Sequence, residues 1–454
     1  MKKTITIIIL IITGTVTYGQ NNCWSKIASS GISNVALAND GTLWSWGGGA
    51  NGKLGLGDEN NRSVPTQIGT DNDWQTISAN AAIKTNGTLW VWGNNNRGQL
   101  GVGDIIDRLV PTQVGTDTNW QSVAVGYAAH SLAIKTDGTL WSWGYGGSGQ
   151  LGTGNSGSVL NPAQVGTGTT WRSVSCGSNH SYAIKIDNTL WVWGLNSSRE
   201  LGLFNNGTDQ EYPTLRTGSW LTSGSGAYHG LAVRVGGTLY AWGDNGMGRL
   251  GLGTNTQVSN STQVGTDTDW LKVVAGQYQT MAIKSDGTLW SWGYNNYGQL
   301  GQGTTGGNYY SPTQVGTATD WQDVALGSYF GAAIKASGEI YTWGRNEYGQ
   351  LGHGNNTDSS SPGLVNCPAE LKLESFSASN FKMFPNPVKD FLNISLDSEI
   401  AGVSIYNLLG QEVLRKSINA RQDKIDVSEL SSGTYIIKVL TQEGATVNKK
   451  ITKQ

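Results

Sequence analysis

The chain has 454 residues, a formal net charge of −2 and 14% charged residues. It is long enough for more than one domain, and its 19 tryptophans and 17 tyrosines exclude a disordered chain despite the 65 glycines. Residues 20–366 are mildly acidic and show no basic patch. This composition excludes a phosphate-backbone binder, so nucleic acid is not an expected partner.

The first elements in chain order are a basic pair, Lys2 and Lys3, and the apolar run "ITIIILIITGTV". Residues 1–19 read as a signal peptide cut before Gln20. The run is too short for a comfortable anchor, and no later stretch is long and apolar enough to cross a membrane. No membrane span is expected in the mature chain.

A repeat follows. "DGTLWSWG" occurs at Asp40, Asp137 and Asp286, with relaxed copies at Asn86, Asp187, Gly236 and Ser337. The period is about 50 residues, the mark of a propeller or solenoid. A lone tryptophan precedes each doublet: Trp24, Trp74, Trp120, Trp171, Trp220, Trp270 and Trp321. All 19 tryptophans fall in these three slots, and Tyr240 and Tyr341 fill the remaining two. The tryptophans therefore belong to the framework. Alternating residues flank each Asp-Gly, which predicts strands joined by a two-residue hairpin turn. A Gly-rich turn and a short strand around "PTQVGT" complete four strands per unit. The expected architecture is all-β: a seven-bladed β-propeller over 20–368, closed so that no sheet edge is exposed.

Cys23 and Cys367 occupy template positions three residues apart across the junction of the repeats, near disulfide distance. A Cys23–Cys367 bridge is expected where the first and last blades share strands. Two free thiols near the ends are the alternative. Cys176 takes a slot that holds small apolar residues in other units.

The unit "WLKVVAGQYQTMAIKSDGTLWSWGYNNYGQLGQG" (270–303) resembles a regulator of chromosome condensation repeat. The resemblance covers about residues 23–366 and implies a seven-bladed propeller. Intracellular members act as nucleotide exchange factors or chromatin binders, roles that an export signal and an acidic ring disfavour. The units are also similar to secreted bacterial propellers that inhibit β-lactamases, in which loop residues on one face contact the enzyme. Target identity does not carry over, because those propellers have shorter, plainer units.

Carried onto this sequence, the first such loop offers Tyr127, Asn179, Tyr228, Tyr278 and Tyr329, and the second offers Tyr145, Tyr294, Tyr297, Arg345 and Tyr348. One per blade, they would form a ring of partner-binding residues on one face; Tyr and Arg are common interface anchors. The alternative is packing beside the central channel. The second unit lacks the "GxxH" loop, and the fourth loses the Gln of "GQLG" to Glu200. Such asymmetry suits a particular partner.

His130, His180 and His229 share one slot, but Gln279 and Phe330 fill it elsewhere and no carboxylate or thiolate joins them. They read as structural, and no metal is expected. Asp71, Asp73, Asp267 and Asp269 read as turn formers, since they lack the further ligands of a calcium loop. No nucleophile elbow, phosphate loop or zinc helix is present, so neither catalysis nor a cofactor is expected. A carboxylate pair brought together by the fold stays open.

Residues 369–380 read as a linker, and 381–454 as alternating strands of a small C-terminal β-sandwich. This tail resembles the type IX secretion C-terminal sorting domain of Bacteroidetes. The resemblance rests on Pro385, Asn386 and Pro387 of "PNP", Gly410 of "YNLLGQEV", Gly433 and Tyr435 of "SSGTYIIKV", and Lys449 and Lys450 of "KKITK". It implies contact with the type IX machinery and a secreted or outer-surface protein. The reading that follows is a propeller that binds an extracellular protein through one face, inhibitor-like or adhesin-like. The alternative is a carbohydrate-binding or glycan-degrading protein.

Overall fold

The computed structural model describes residues 23–126, 129–205, 207–368, 381–407, 412–442 and 446–454. The signal segment 1–19 and the linker 369–380 lie outside them. Seven four-stranded antiparallel sheets succeed one another along the chain, followed by a five-stranded C-terminal sheet. Blade 1 consists of Trp24–Ser30, Ser33–Ala38, Leu43–Gly47 and Arg62–Gln67. Blades 2 to 7 begin at Trp74, Trp120, Trp171, Trp220, Trp270 and Trp321 and repeat that order. Each is contiguous in sequence, so the first and last blades share no strand, contrary to the expectation. A channel of about 370 Å³ is lined by the first strands of all seven blades.

Alternation along the third strand explains how blades stack. In blade 3 the lone Trp120 packs against both Trp141 and Trp143, with ring centroids 6.0 Å apart. This face meets Ile83, Leu89 and Leu100 of blade 2, while Leu140 on the opposite face joins Trp171 and Trp193 of blade 4. Each indole buries about 150–250 Å². Closure uses the same contact: Trp24, Trp44 and Trp46 of blade 1 pack on Ala332, Ile334 and Ile340 of blade 7.

Hydrogen bonds close the ring as well. The second tryptophan of each doublet donates to a carbonyl of the preceding blade, as Trp143 does to Gln99 (2.9 Å) and Trp343 to Gln299 (3.0 Å). Trp46 continues the cycle to Gln350 at 3.1 Å. The expected Cys23–Cys367 disulfide is present across the same junction, with Cα atoms 6.3 Å apart.

The Asp-Gly turn differs from expectation. Lys135 N–H donates to Thr139 O and Gly138 N–H to Lys135 O, a three-residue loop in which Gly138 alone has positive φ, +76°. This is a type I turn with a glycine bulge. A Cβ on Gly138 would collide with the Thr169 carbonyl oxygen, so glycine is required twice over. The Asp137 carboxylate accepts from the Thr139 N–H (3.0 Å) and hydroxyl (2.6 Å), and that hydroxyl accepts from the Trp141 indole at 2.8 Å. "DGTLW" is thus one local hydrogen-bonded unit.

Closure does not abolish edges, which corrects the other expectation. Each blade keeps an outer strand, and in six of seven that strand carries a proline: Pro65, Pro111, Pro162, Pro213, Pro312 and Pro362. Proline offers no N–H to a passing strand, which blunts the edge.

The C-terminal unit is one sheet that encloses its own core. Lys382–Phe384, Phe391–Tyr406, Gly433–Thr441 and Thr446–Lys453 pair in that order, and Glu412–Asp426 pairs with Phe391–Tyr406. The long strand Phe391–Tyr406 shifts register between Ser395 and Ile400. Leu392 and Ile394 from its first half and Val403 and Ile405 from its second share one core with Ile437, Val439 and Ile451. Among the described residues no helix is long and apolar enough to cross a membrane.

Candidate binding face

Strand 1 ends where strand 2 begins and strand 3 ends, so both candidate loops emerge on one face of the ring. Tyr145 N–H donates to Ala129 O, and Tyr294 N–H to Tyr278 O, joining the two loops within a blade. The candidates do not form a ring of one per blade. Tyr278, Tyr294, Tyr297 and Tyr329 converge at blades 6 and 7: Tyr278 stacks on Tyr329 at 5.7 Å and Tyr297 lies 5.3 Å from Tyr329. Tyr294 meets Tyr278, Tyr297 and Tyr329 at 6.1–6.4 Å. Arg345 lies over Tyr297 (5.0 Å) and Arg249 over Tyr278 (5.0 Å). All four rings are half-buried. Burial and the neighbouring phenols raise the Tyr329 pKa.

Among the described residues the remaining candidates make no ring contact with those four tyrosines, although Tyr228 lies near Arg249. Tyr228 is 38% exposed. Tyr145 lies under the Arg97 guanidinium at 5.4 Å. Tyr348 is half-buried, and its N–H donates to the Gln350 side chain at 2.9 Å. Asn179 accepts from the Gln150 amide at 3.4 Å. Tyr127 lies outside the described residues.

A cavity of about 590 Å³ opens on this face, lined by residues of both loop types including Asn179 and Tyr145. Blades 1 and 2 join their first two strands through only two residues, Gly31-Ile32 and Ala79-Asn80. Blades 4 to 7 use three, as in Gly177–Asn179. On the side of these short loops the cavity wall includes the half-buried Lys53 and the exposed Arg97. Sequence reasoning passed over both. For Lys53 the available signal was that it, like Glu200 and Arg249, replaces the Gln of "GQLG"; for Arg97 it was a cation at the position held by Ser148 and Ser198 in blades 3 and 4.

The histidine row is buried. His130 Nε2 lies 2.9 Å from Ser181 Oγ, and His229 Nε2 lies 3.3 Å from Thr280 Oγ1, each on the next blade. Burial lowers the pKa of His130 to about 4 and of His180 to about 3, and holds His229 well below its ordinary value. All three are neutral at pH 7; His130 and His229 connect blades, whereas neither ring nitrogen of His180 has a hydrogen-bond partner among the described residues. Asp71 and Asp73 pair with Lys84 (2.7 and 3.0 Å), and Asp267 and Asp269 with Lys284 (2.7 and 3.2 Å). Burial works against the Lys84 charge, but its two carboxylates outweigh that and raise its pKa. Burial pushes the Cys176 thiol above its usual range, so it is unreactive.

In the tail, Asn386 acts as a short piece of extra strand. Its amide donates to Lys450 O (3.0 Å) and accepts from Thr452 N–H (2.9 Å). The flanking Phe384-Pro385 and Asn386-Pro387 bonds are cis. Gly433 opens its strand, the Tyr435 hydroxyl donates to Ser431 O at 2.9 Å, and Lys449 and Lys450 are exposed. Gly410 lies outside the described residues.

A family model for the regulator of chromosome condensation (RCC1) repeat matches residues 40–81, 86–134, 137–184, 236–283, 286–334 and 337–381. A model for the secretion system C-terminal sorting domain matches 382–454. Among curated proteins, the E3 ubiquitin-protein ligase HERC2 of Homo sapiens is 54% identical over 44 residues, 10% of this chain and 1% of that protein. Beta-agarase D of Zobellia galactanivorans is 37% identical over 87 residues, 19% of this chain and 18% of that one. The chain thus spans a small part of the length of these relatives. Among solved structures, human WBSCR16 is similar with a TM-score of 0.64 and 20% identity, covering 72% of this chain and 94% of that one. Prp20p of Saccharomyces cerevisiae has a TM-score of 0.65 and 17% identity, covering 80% and 90%. These likenesses show the fold. The C-terminal domain marks delivery by the type IX secretion system to the outside of the cell or its outer surface. With six repeats matched over more than half its length, the chain belongs to the regulator of chromosome condensation repeat family.

Proposed function

We infer that the propeller binds an extracellular protein through the face bearing the tyrosine cluster, as an inhibitor or adhesin would. The carrying observation is that Tyr278, Tyr294, Tyr297 and Tyr329 gather half-buried with Arg345 on one side of that face, backed by the buried Arg249 beneath Tyr278. Pre-packed rings lose little freedom on binding, and such Tyr and Arg clusters supply most of the energy of many interfaces. No catalytic role is assigned to these residues.

The test is capture of secreted proteins by the full chain and by a Tyr297→Ala/Tyr329→Ala variant. Capture should fall at least tenfold while the melting temperature stays within a few degrees. Unchanged capture with a large loss of stability would make the cluster a packing device instead. A second reading, binding of an extracellular glycan, draws support from the amide-rich lining of the cavity on the same face.

A further inference from the structure

Resting on that second reading, the geometry points to the cavity at the mouth of the ring, lined by loops of blades 1 to 4, 6 and 7, as a site for an acidic saccharide, with Lys53 and Arg97 meeting the anionic group. The cavity, at about 590 Å³, has the size of a small-ligand site. Among the described residues its lining contains two cations and no aspartate or glutamate, although the ring as a whole is acidic. A cationic recess in an acidic molecule focuses the local field on anions.

Lys53 is half-buried, and no carboxylate pairs with it among the described residues. Burial lowers its pKa, so a bound anion would restore what solvent no longer supplies. By contrast Lys84, Lys135 and Lys284 each pair with an aspartate. Arg97 is exposed and lies across Tyr145, which leaves its guanidinium edge free for a planar carboxylate or a sulfate. The rest of the wall includes Asn51, Asn96, Asn179 and Gln277. Amides both donate and accept, as sugar hydroxyls do. An acidic protein loop would use the cations but has less need of so many amides.

Position in the repeat separates this site from framework. Lys53 stands where Gln99, Gln150, Gln299 and Gln350 stand in other blades, and Arg97 where Ser148 and Ser198 stand. Lys53→Gln and Arg97→Ser therefore restore residues that the same backbone already carries elsewhere. Lys53 and Arg97 stand on the side where blades 1 and 2 have the short inner loops.

The experiment is isothermal titration of the full chain with four probes of equal length. These are galacturonate oligomers, sulfated galactose oligomers, neutral galactose oligomers and oligoglutamate. Acidic sugars should bind, with affinity falling as salt rises, and neutral ones at least tenfold more weakly. The uronate and sulfate arms identify which anion is preferred. Lys53→Gln/Arg97→Ser should weaken acidic binding at least tenfold, leave the melting temperature unchanged, and be unmatched by Tyr297→Ala/Tyr329→Ala. Neutral oligomers binding equally well would overturn the anion assignment while leaving a glycan reading standing. Oligoglutamate binding as tightly would turn the recess into a peptide site. Binding of no saccharide would overturn both.

Discussion

Glu200 shows how one substitution in a repeat changes the electrostatics of a blade. In four units the Gln at this position accepts the N–H two residues upstream, as Gln99 does from Arg97 at 2.9 Å. Glu200 keeps that bond, from Ser198 at 2.7 Å, but its second oxygen is buried with no partner among the described residues. Burial, with Asp209 and Asp244 nearby, pushes its pKa up to about 7. The folded form holds this proton between pH 4.5 and 7 while the unfolded chain loses it. Stability is therefore lost as pH rises through that window, at about 1.4 kcal/mol per pH unit at most. Glu200→Gln should close the gap: variant and parent melt most alike near pH 4.5, and the variant gains on the order of 2 kcal/mol by pH 8. Denaturation at both pH values checks this, and a constant difference would refute it. The buried histidines act in the opposite direction. Their lowered pKa values cost stability as pH falls below about 6.5, because unfolding then takes up protons.

At the scale of the element, the tryptophan slots were legible because strand alternation and a fixed period put identical residues in identical places. The turn departs from the two-residue expectation because Asp-Gly suits both two- and three-residue loops. The hydroxyl of Thr139, bonded to Asp137, selects the longer one. A second element reads more clearly with coordinates. Blade 4 buries Arg216 where other units bury Val or Ile, and the guanidinium donates to Gly202 O at 2.6 Å. Tyr182 and Trp242 complete that polar contact: the Trp242 indole donates to the Tyr182 hydroxyl at 2.9 Å and to Glu200 O at 2.8 Å. The Cys23–Cys367 bridge belongs to this scale too. It joins the ends of a contiguous set of blades rather than a shared strand. Cys23→Ser should lower unfolding free energy by about 2–5 kcal/mol. The far-ultraviolet spectrum at room temperature should not change, because the indole bond from Trp46 to Gln350 still spans the junction. An unaltered denaturation midpoint would show that the bridge contributes nothing.

For the whole molecule, the tail and the ring carry separate tasks. The tail buries its own core, with Val388, Ile405 and Ile451 inaccessible, so it does not need the propeller for its packing. Removal of residues 381–454 should leave a folded propeller inside the cell envelope and abolish delivery to the surface or medium. Cell fractionation reads the outcome, and normal delivery of the truncated chain would refute the sorting role. The number of blades, the indole framework, the disulfide partners and the sorting domain were determined by the sequence itself. Each depends on local alternation, on a period or on a motif, and these survive in one dimension. Only the tertiary structure decided that the tyrosines gather at blades 6 and 7, and that Lys53 and Arg97 share a recess. Those groupings depend on loop lengths and blade order around a closed ring, which place residues far apart in sequence side by side.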